Sequence, residues 1–488
     1  MKYFLMLIQL WVGFLPICAS YPKANIWIIP SVESPQVYRN YAQTSKVHLE
    51  MARGEVEHIQ LVFPSKVNEE YRFTFDRNLK GIQISARELK KMNGYYDALV
   101  PFKNQLKCTD TLTAVWITVQ CPSRVPVGKY HQTIKIEGSK HFTIQLDYNV
   151  HHTTIPLKSS IPITVGVENR CVAEGLNDKE ADKERQRWVD FVLSYRMTPV
   201  FGTQITPERW QYEHSFSPWA WNDKRSIRLL NDRRYSCYML PFFTLSENEL
   251  ASLLCNIQKK GKLKESLFYI WDEPAYMEDY EQIKQKVNII RKYASDARIL
   301  TTFFCGPRNG PRKGDLYAVF DYLKHHIHVA TISLAPCKGN EEEVQHIRYK
   351  VPEGIDWWSY VCWQPGGNEP NFLLQMKGIQ QRAIMWRTWK NGSQGFLYWN
   401  CNIYHKRNPF TYITDMPHGD GILIYPGDIL GRKGPIASAR LERWRDGAEE
   451  MELLRLVEKN YSKEKADTLL NIVYSSALSF IEKAHNIA

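Results

Sequence analysis

The chain lacks most of the signatures that assign a protein to a class at a glance. Its ten cysteines include no Cys-x-x-Cys pair, which excludes a zinc ribbon and a dithiol redox motif. Beyond the first residues no segment approaches the roughly 18 uninterrupted apolar residues of a membrane span. No glycine-rich phosphate loop is present, which argues against a nucleotide-binding doubly wound sheet. There is no internal repeat and no low-complexity tract. The formal charge is +11, yet the basic residues are scattered. The densest group, Lys259, Lys260, Lys262 and Lys264, reads as a solvated helix end, and no nucleic-acid motif accompanies it. The charge favours contact with anionic surfaces or glycans.

What is present starts at the N-terminus. Lys2, the apolar stretch Tyr3–Leu15 and the small residues Cys18-Ala19-Ser20 form a secretory leader pattern over 1–20. A secreted or periplasmic protein is expected, with lipid anchoring at Cys18 as an alternative because Leu15-Pro16-Ile17-Cys18 is a weak lipoprotein box. Removing Cys18 leaves an odd number of cysteines, of which Cys108 and Cys121 are spaced to close a local loop. The 15 Trp and 27 Tyr suit sugar binding, since aromatic rings accept the apolar face of a pyranose, although large cores also use them.

From 21 to 155 short alternating runs such as His58–Phe63 and Leu112–Val119 predict a β-sandwich. His151–Pro162 reads as a linker. From 160 to 460 buried strands alternate with amphipathic helices in about eight units, the rhythm of a (β/α)8 TIM-like barrel. The tail 461–488 reads as one more helix packed on the barrel. The fold class is therefore α/β, with a β-sandwich ahead of the barrel.

The segment Phe268-Tyr269-Ile270-Trp271-Asp272-Glu273-Pro274 is the most informative. A buried strand ends in two adjacent carboxylates and a proline. Barrel strands deliver catalytic groups at their C-terminal ends. Acids are also common at helix starts, so helix capping competes as a reading.

Further blocks follow in a specific order. They are Trp358–Cys362, Pro370-Asn371-Phe372, Arg382 with Trp386, Gly395–Trp399, Gly419–Gly427 and Arg440–Glu449. Together with Trp271–Pro274 they resemble glycoside hydrolase family 123 and its DUF4091 relatives, over about Phe268 to Leu456. The resemblance implies exo-acting removal of terminal β-linked N-acetylgalactosamine from a glycan or glycolipid. It also implies retention of configuration by substrate assistance, with no enzyme nucleophile, no cofactor and no metal. The 2-acetamido oxygen would attack its own anomeric carbon. Glu273 would serve as general acid/base and Asp272 would orient the acetamide. Adjacent residues on a regular strand point to opposite faces, so both reach one sugar only if the backbone turns there.

Such a site needs a wall around the acetamide methyl and a hydroxyl for its oxygen. Trp399 is the first candidate for the wall, followed by Trp358, Tyr360 and Trp363. Tyr360 or Tyr398 would supply the hydroxyl, whichever shares the inward face. Asn400 and Tyr404 are candidates for the sugar hydroxyls, and the aromatic segment Thr203–Arg234, with Trp210, for a cap. Arg440–Glu452 reads as structural, with ion pairs at helical spacing. His326 and His328 read as a polar strand start rather than metal ligands. Two other functions compete: a non-catalytic glycan-binding protein, and a two-carboxylate hydrolase with Glu369 as nucleophile.

Overall fold

The computed structural model describes residues 26–76, 81–206, 211–403, 409 and 417–481. The expected leader with Cys18, Trp210, Tyr404 and the chain from 482 onward lie outside them.

Ten strands build the N-terminal domain: β1 (Trp27–Pro30), β2 (Lys46–Arg53), β3 (Val56–Pro64), β4 (Glu70–Phe75), β5 (Gln83–Met92), β6 (Tyr95–Pro101), β7 (Gln105–Lys107), β8 (Leu112–Gln120), β9 (Gly128–Glu137) and β10 (His141–Thr154). They form two five-stranded sheets, ordered β1-β3-β8-β5-β6 and β2-β10-β9-β4-β7. Alternation divides β3 and β8 between two interiors. Ile59, Leu61, Phe63, Val115, Ile117 and Val119 face the second sheet. Val62, Ala114 and Trp116 face the C-terminal domain. Both faces are covered, which is why these strands read as nearly continuous apolar runs. The linker is shorter than expected, because His151–Thr154 still belong to β10. Cys108 and Cys121 are buried free thiols rather than a bridge.

The second domain is a nine-stranded sheet of β11 (Ile163–Glu168), β12 (Thr198–Thr206), β13 (Gln211–Ser215), β14 (Tyr238–Met239), β15 (Ser266–Trp271), β16 (Arg298–Phe303), β17 (Val329–Ser333), β18 (Asp356–Val361) and β19 (Phe396–Tyr398). Its order is β13-β12-β11-β19-β18-β17-β16-β15-β14. The first strand, β11, pairs in parallel with both β12 and the last strand β19, which curls the sheet into a barrel. The closure is incomplete. Among the described residues no ladder joins β12 to β14; the antiparallel β13 lies along β12, and the Phe216 N–H reaches the Met239 carbonyl at 2.7 Å. Leu267, Tyr269, Leu300, Val329, Trp358, Tyr360 and Leu397 point into the barrel. Their neighbours Phe268, Ile270, Ile299, Ile332, Trp357, Phe396 and Tyr398 point out against the helices.

The tail, expected as one helix, is broken, and so is the helical stretch 372–389. The stretch 372–389 contains Gly378–Arg382 and Ile384–Lys390, because Asn371 and Phe372 are drawn into the core and Asn371 donates to the carbonyls of Cys362 and Pro365. The tail forms the helix Lys463–Val473 and then a small hairpin, Tyr474–Ser476 with Ser479–Phe480.

The helix Ala439–Asn460 is buried on nearly every side despite its charge. The expected pairing within the helix is present in Arg445–Glu442, but most partners come from elsewhere. Arg440 pairs with Asp97 of β6 at 2.9 Å and donates to the carbonyls of Phe372 and Gly419, both at 2.7 Å. Glu442 pairs with Arg87 of β5 at 2.5 Å and with His58 of β3 at 3.2 Å. Glu449 meets Arg196 at 3.0 Å, and Glu450 meets Arg382 at 2.6 Å. Burial alone would raise the Glu442 carboxyl, but Arg445, Arg87 and His58 hold it well below the usual carboxylate range. Gly447 admits no side chain, since a Cβ there would lie 2.4 Å from the Arg382 carbonyl oxygen. These charges bolt the sandwich to the barrel.

Removing one member of such a pair leaves the other buried and uncompensated. Arg440→Met is expected to cost about 3–5 kcal/mol, read as a lowered denaturant midpoint. A loss below about 1 kcal/mol would place Arg440 outside the bolt.

Candidate active site

The site is assembled at the C-terminal end of β15. Leu267 and Tyr269 alternate inward and Phe268 and Ile270 outward until the ladder with β16 slips between Tyr269 and Trp271. Trp271 then packs outward beneath Lys286, whose Nζ lies 5.3 Å from the ring centroid. Glu273 adopts a left-handed backbone, φ +46°. That conformation costs a non-glycine residue about 1–2 kcal/mol. It is held in part by Thr302 of β16, whose hydroxyl accepts the Glu273 N–H at 3.0 Å. The turn expected at Pro274 therefore occurs one residue earlier.

The consequence is that both carboxylates address the barrel mouth. Asp272 Oδ1 accepts hydrogen bonds from the Tyr269 hydroxyl and the Thr302 hydroxyl, both at 2.7 Å. Glu273 Oε1 accepts the Tyr360 hydroxyl from β18. Glu273, like Asp272, is open to solvent as a residue, while its carboxyl group sits among Tyr360, Asp272 and Arg308. Burial pushes its carboxyl up to about 7, and the charge of Asp272 adds to that. The Tyr360 hydrogen bond and the Arg308 guanidinium oppose the rise. Two neighbouring acids with separated environments can divide the work of proton donor and fixed anion.

The other expected residues are distributed as follows. Tyr360 faces inward, with its hydroxyl on Glu273. Tyr398 faces outward, packed on Phe372 with centroids 5.0 Å apart, and donates to Asp420 at 3.0 Å; it does not enter the barrel mouth. The register of β18 against β19 decided between these two tyrosines. Trp358 faces inward but lies two residues below Tyr360, fully buried, in core packing beneath the site. Trp399, just past the end of β19, is half-buried, packs on the inward cluster as well as on two neighbouring ones, and donates its Nε1–H to Asp420 at 3.1 Å. Trp363 lies past the strand end, 46% exposed. Asn400 is buried, and its Oδ1 accepts the Asn402 N–H at 2.9 Å, which makes it a turn-former. Glu369 is engaged in a buried ion pair with Arg387 at 2.9 Å. Among the described residues no group of three or more His, Cys, Asp and Glu is placed to hold a metal ion. His328 Nδ1 accepts the Ile299 N–H at 3.2 Å.

Three contributors escaped the sequence reading. Tyr269 and Thr302 are legible only once β15 and β16 are set in register. His214 of β13 stacks on Tyr269, with centroids 4.2 Å apart and planes 20° from parallel. Among the described residues the segment 203–234 reaches the site through a histidine, while its tryptophans Trp219 and Trp221 pack against the outer core. Of these, Trp219 is buried on the outer side and bonded to Asp182.

The model of the glycoside hydrolase 123 catalytic domain matches residues 183–457. The chain belongs to glycoside hydrolase family 123. Among solved structures it is similar to a family 123 glycoside hydrolase from Clostridium perfringens, described in connection with glycolipid glycan hydrolysis. The TM-score is 0.66, with 15% identity over 95% of both chains. A Bacteroides ovatus GH5 xyloglucanase aligns over 82% of this chain and 98% of its own, with 10% identity and a TM-score of only 0.28. A GH2 β-galacturonidase from Eisenbergiella tayi reaches 0.35, with 9% identity over 81% of this chain and 69% of its own. Comparison with curated proteins gives no match. This family 123 chain is a glycoside hydrolase, and its barrel mouth carries the acid pair.

Tyr360 stabilises the ionised form of Glu273, so its removal raises the carboxyl further. In Tyr360→Phe the alkaline limb of the kcat/KM profile should move up by about 1 pH unit. An unmoved or lowered limb would detach that limb from Glu273.

Proposed function

We propose that this hydrolase is an exo-acting, retaining β-N-acetylgalactosaminidase that works by substrate assistance on a (β/α)8 barrel. The observation that carries the reading is the left-handed turn at Glu273, which brings two adjacent carboxylates with unlike surroundings to one mouth. Glu273, pushed up to about 7, retains a proton near neutrality and is the general acid. Asp272, tied by two hydroxyl donors, is the anion that accepts the acetamide N–H.

In the first step the acetamide carbonyl oxygen attacks C1 from below. The C1–O bond breaks, and the leaving oxygen takes the Glu273 proton. Asp272 balances the positive charge that develops on the oxazolinium-type ring. In the second step Glu273, now a base, takes a proton from water, whose oxygen attacks C1 from the face the leaving group vacated. The acetamide re-forms and the configuration at C1 is retained. Trp399 is the wall against the acetamide methyl, with Tyr360 across the mouth. Trp363, exposed past the end of β18, is a further candidate for the sugar.

The galacto configuration rests on the ordered sequence blocks shared with family 123. A glycolipid as natural substrate is supported by the Clostridium perfringens relative. The leader pattern at 1–20 supports a secreted or periplasmic enzyme; among the described residues no helix is long and apolar enough to cross a membrane.

Release of 4-nitrophenol from β-GalNAc, β-GlcNAc and β-Gal glycosides tests the reading. The acetamido sugars should be cleaved, β-GalNAc fastest, and β-Gal essentially not at all. Equal rates on β-Gal and β-GalNAc would end the substrate-assisted mechanism. Glu273→Gln should lower kcat on a natural disaccharide by about 10²–10⁴-fold, and less on an aryl glycoside whose leaving group needs no proton. Asp272→Asn should slow both substrates alike; near-normal turnover would remove its orienting role.

A further inference from the structure

Asp420 lies in the Gly419-Asp420-Gly421 turn, which the sequence presents as an ordinary tight turn. It is only 3% exposed. One oxygen, Oδ1, accepts both the Tyr398 hydroxyl at 3.0 Å and the Trp399 Nε1–H at 3.1 Å. The Tyr398 hydroxyl in turn accepts the Gly421 N–H at 3.0 Å. Two glycines close on Trp399 from other sides. A Cβ at Gly421, whose φ is +67°, would lie 2.5 Å from Trp399 Cζ2, and a Cβ at Gly166 would lie 1.8 Å from the Trp399 carbonyl oxygen. A turn needs none of this. A charged acceptor forms stronger bonds than a neutral one, and a carboxylate over the end of β19 can tie an outward tyrosine and an inward tryptophan to one point. Arg440 supplies the compensating charge nearby and fixes the backbone carbonyls of Gly419 and Ile422.

We infer that Asp420 is a positioning residue: it holds the Trp399 indole at a set orientation and thereby fixes how large an N-acyl group the enzyme accepts. This rests on the function proposed above and adds to it a determinant of N-acyl selectivity. The carboxylate touches no substrate. It acts through Trp399, so its loss acts where loss of the indole N–H acts.

The test is a double-mutant cycle read as selectivity. The kcat/KM ratio for N-acetyl over N-butyryl 4-nitrophenyl β-galactosaminide is measured for wild type, Asp420→Ser, Trp399→Phe and the double variant. Asp420→Ser and Trp399→Phe should each lower the ratio by about tenfold, the scale of pocket discrimination for one or two methylenes. The double variant should be no lower than either single one, because both remove the same bond. Asp420→Asn, which keeps an acceptor oxygen, should restore most of the ratio. Multiplicative losses, or an Asp420→Ser enzyme slowed equally on both substrates, would overturn the inference. If Asp420→Ser does not fold, Asp420→Asn takes its place: a ratio between those of wild type and Trp399→Phe supports the inference, and a ratio equal to wild type, or one unchanged in Trp399→Phe, refutes it. Wild type with no activity on any 2-acetamido glycoside would instead defeat the underlying function. Activity without N-acyl selectivity would defeat only the role given to Trp399 and Asp420.

Discussion

The buried guanidinium of Arg440 is the point through which the rest of the molecule is connected. It binds Asp97 of the sandwich on one side and the carbonyls of Phe372, Gly419 and Ile422 on the other. An arginine in a dry interior is tolerable only when its donors are met, and here they span both domains. Tyr425 closes the same group by donating to Asp97 at 2.6 Å. The segment 418–422 is thus clamped from the sandwich side. His418 adds to the clamp by receiving the Asn93 amide at 2.7 Å. From this segment Asp420 extends to Tyr398 and Trp399. The N-terminal sandwich, which carries no motif of its own, is therefore part of the frame that presents the barrel mouth.

A second constraint acts on the opposite wall. The left-handed backbone of Glu273 is unfavourable by itself and is sustained by a hydroxyl network anchored on β16. Thr302 donates its single proton to the Asp272 carboxylate and accepts the Glu273 backbone N–H, so one side chain holds both residues in opposite senses. Tyr269 completes the arrangement and is itself steadied by His214. Both residues are open to solvent, but Asp272 is tied by two hydroxyl donors to a strand pair, while the Glu273 carboxyl accepts one phenol. The division between a fixed anion and a proton carrier follows from that asymmetry.

Much of the architecture was legible because periodicity is local. Runs of period two followed by turn residues mark the sandwich, and the alternation of apolar strands with amphipathic helices marks the barrel rhythm. Closure was not legible, since whether β12 meets β14 depends on a hairpin whose pairing is set in space. The helix Ala439–Asn460 was legible as a helix rich in ion pairs, but its partners were not. Asp97, Arg87 and His58 lie more than 300 residues away, and helical spacing offered a nearer, mostly incorrect answer.

By itself the sequence determined that an acid pair stands at the end of a barrel strand, that aromatic residues gather at the ends of later strands, and that the chain carries the ordered blocks of family 123. These depend on residue type and order, which folding does not alter. Only the tertiary structure decided which way each side chain points. A one-residue change of parity exchanges inside for outside along a strand, so Tyr360 meets Glu273 while Tyr398 turns to Asp420. It likewise decided that Glu273 turns beside Asp272 rather than away from it, because a positive φ on a glutamate is imposed by its neighbours in space and has no local signal.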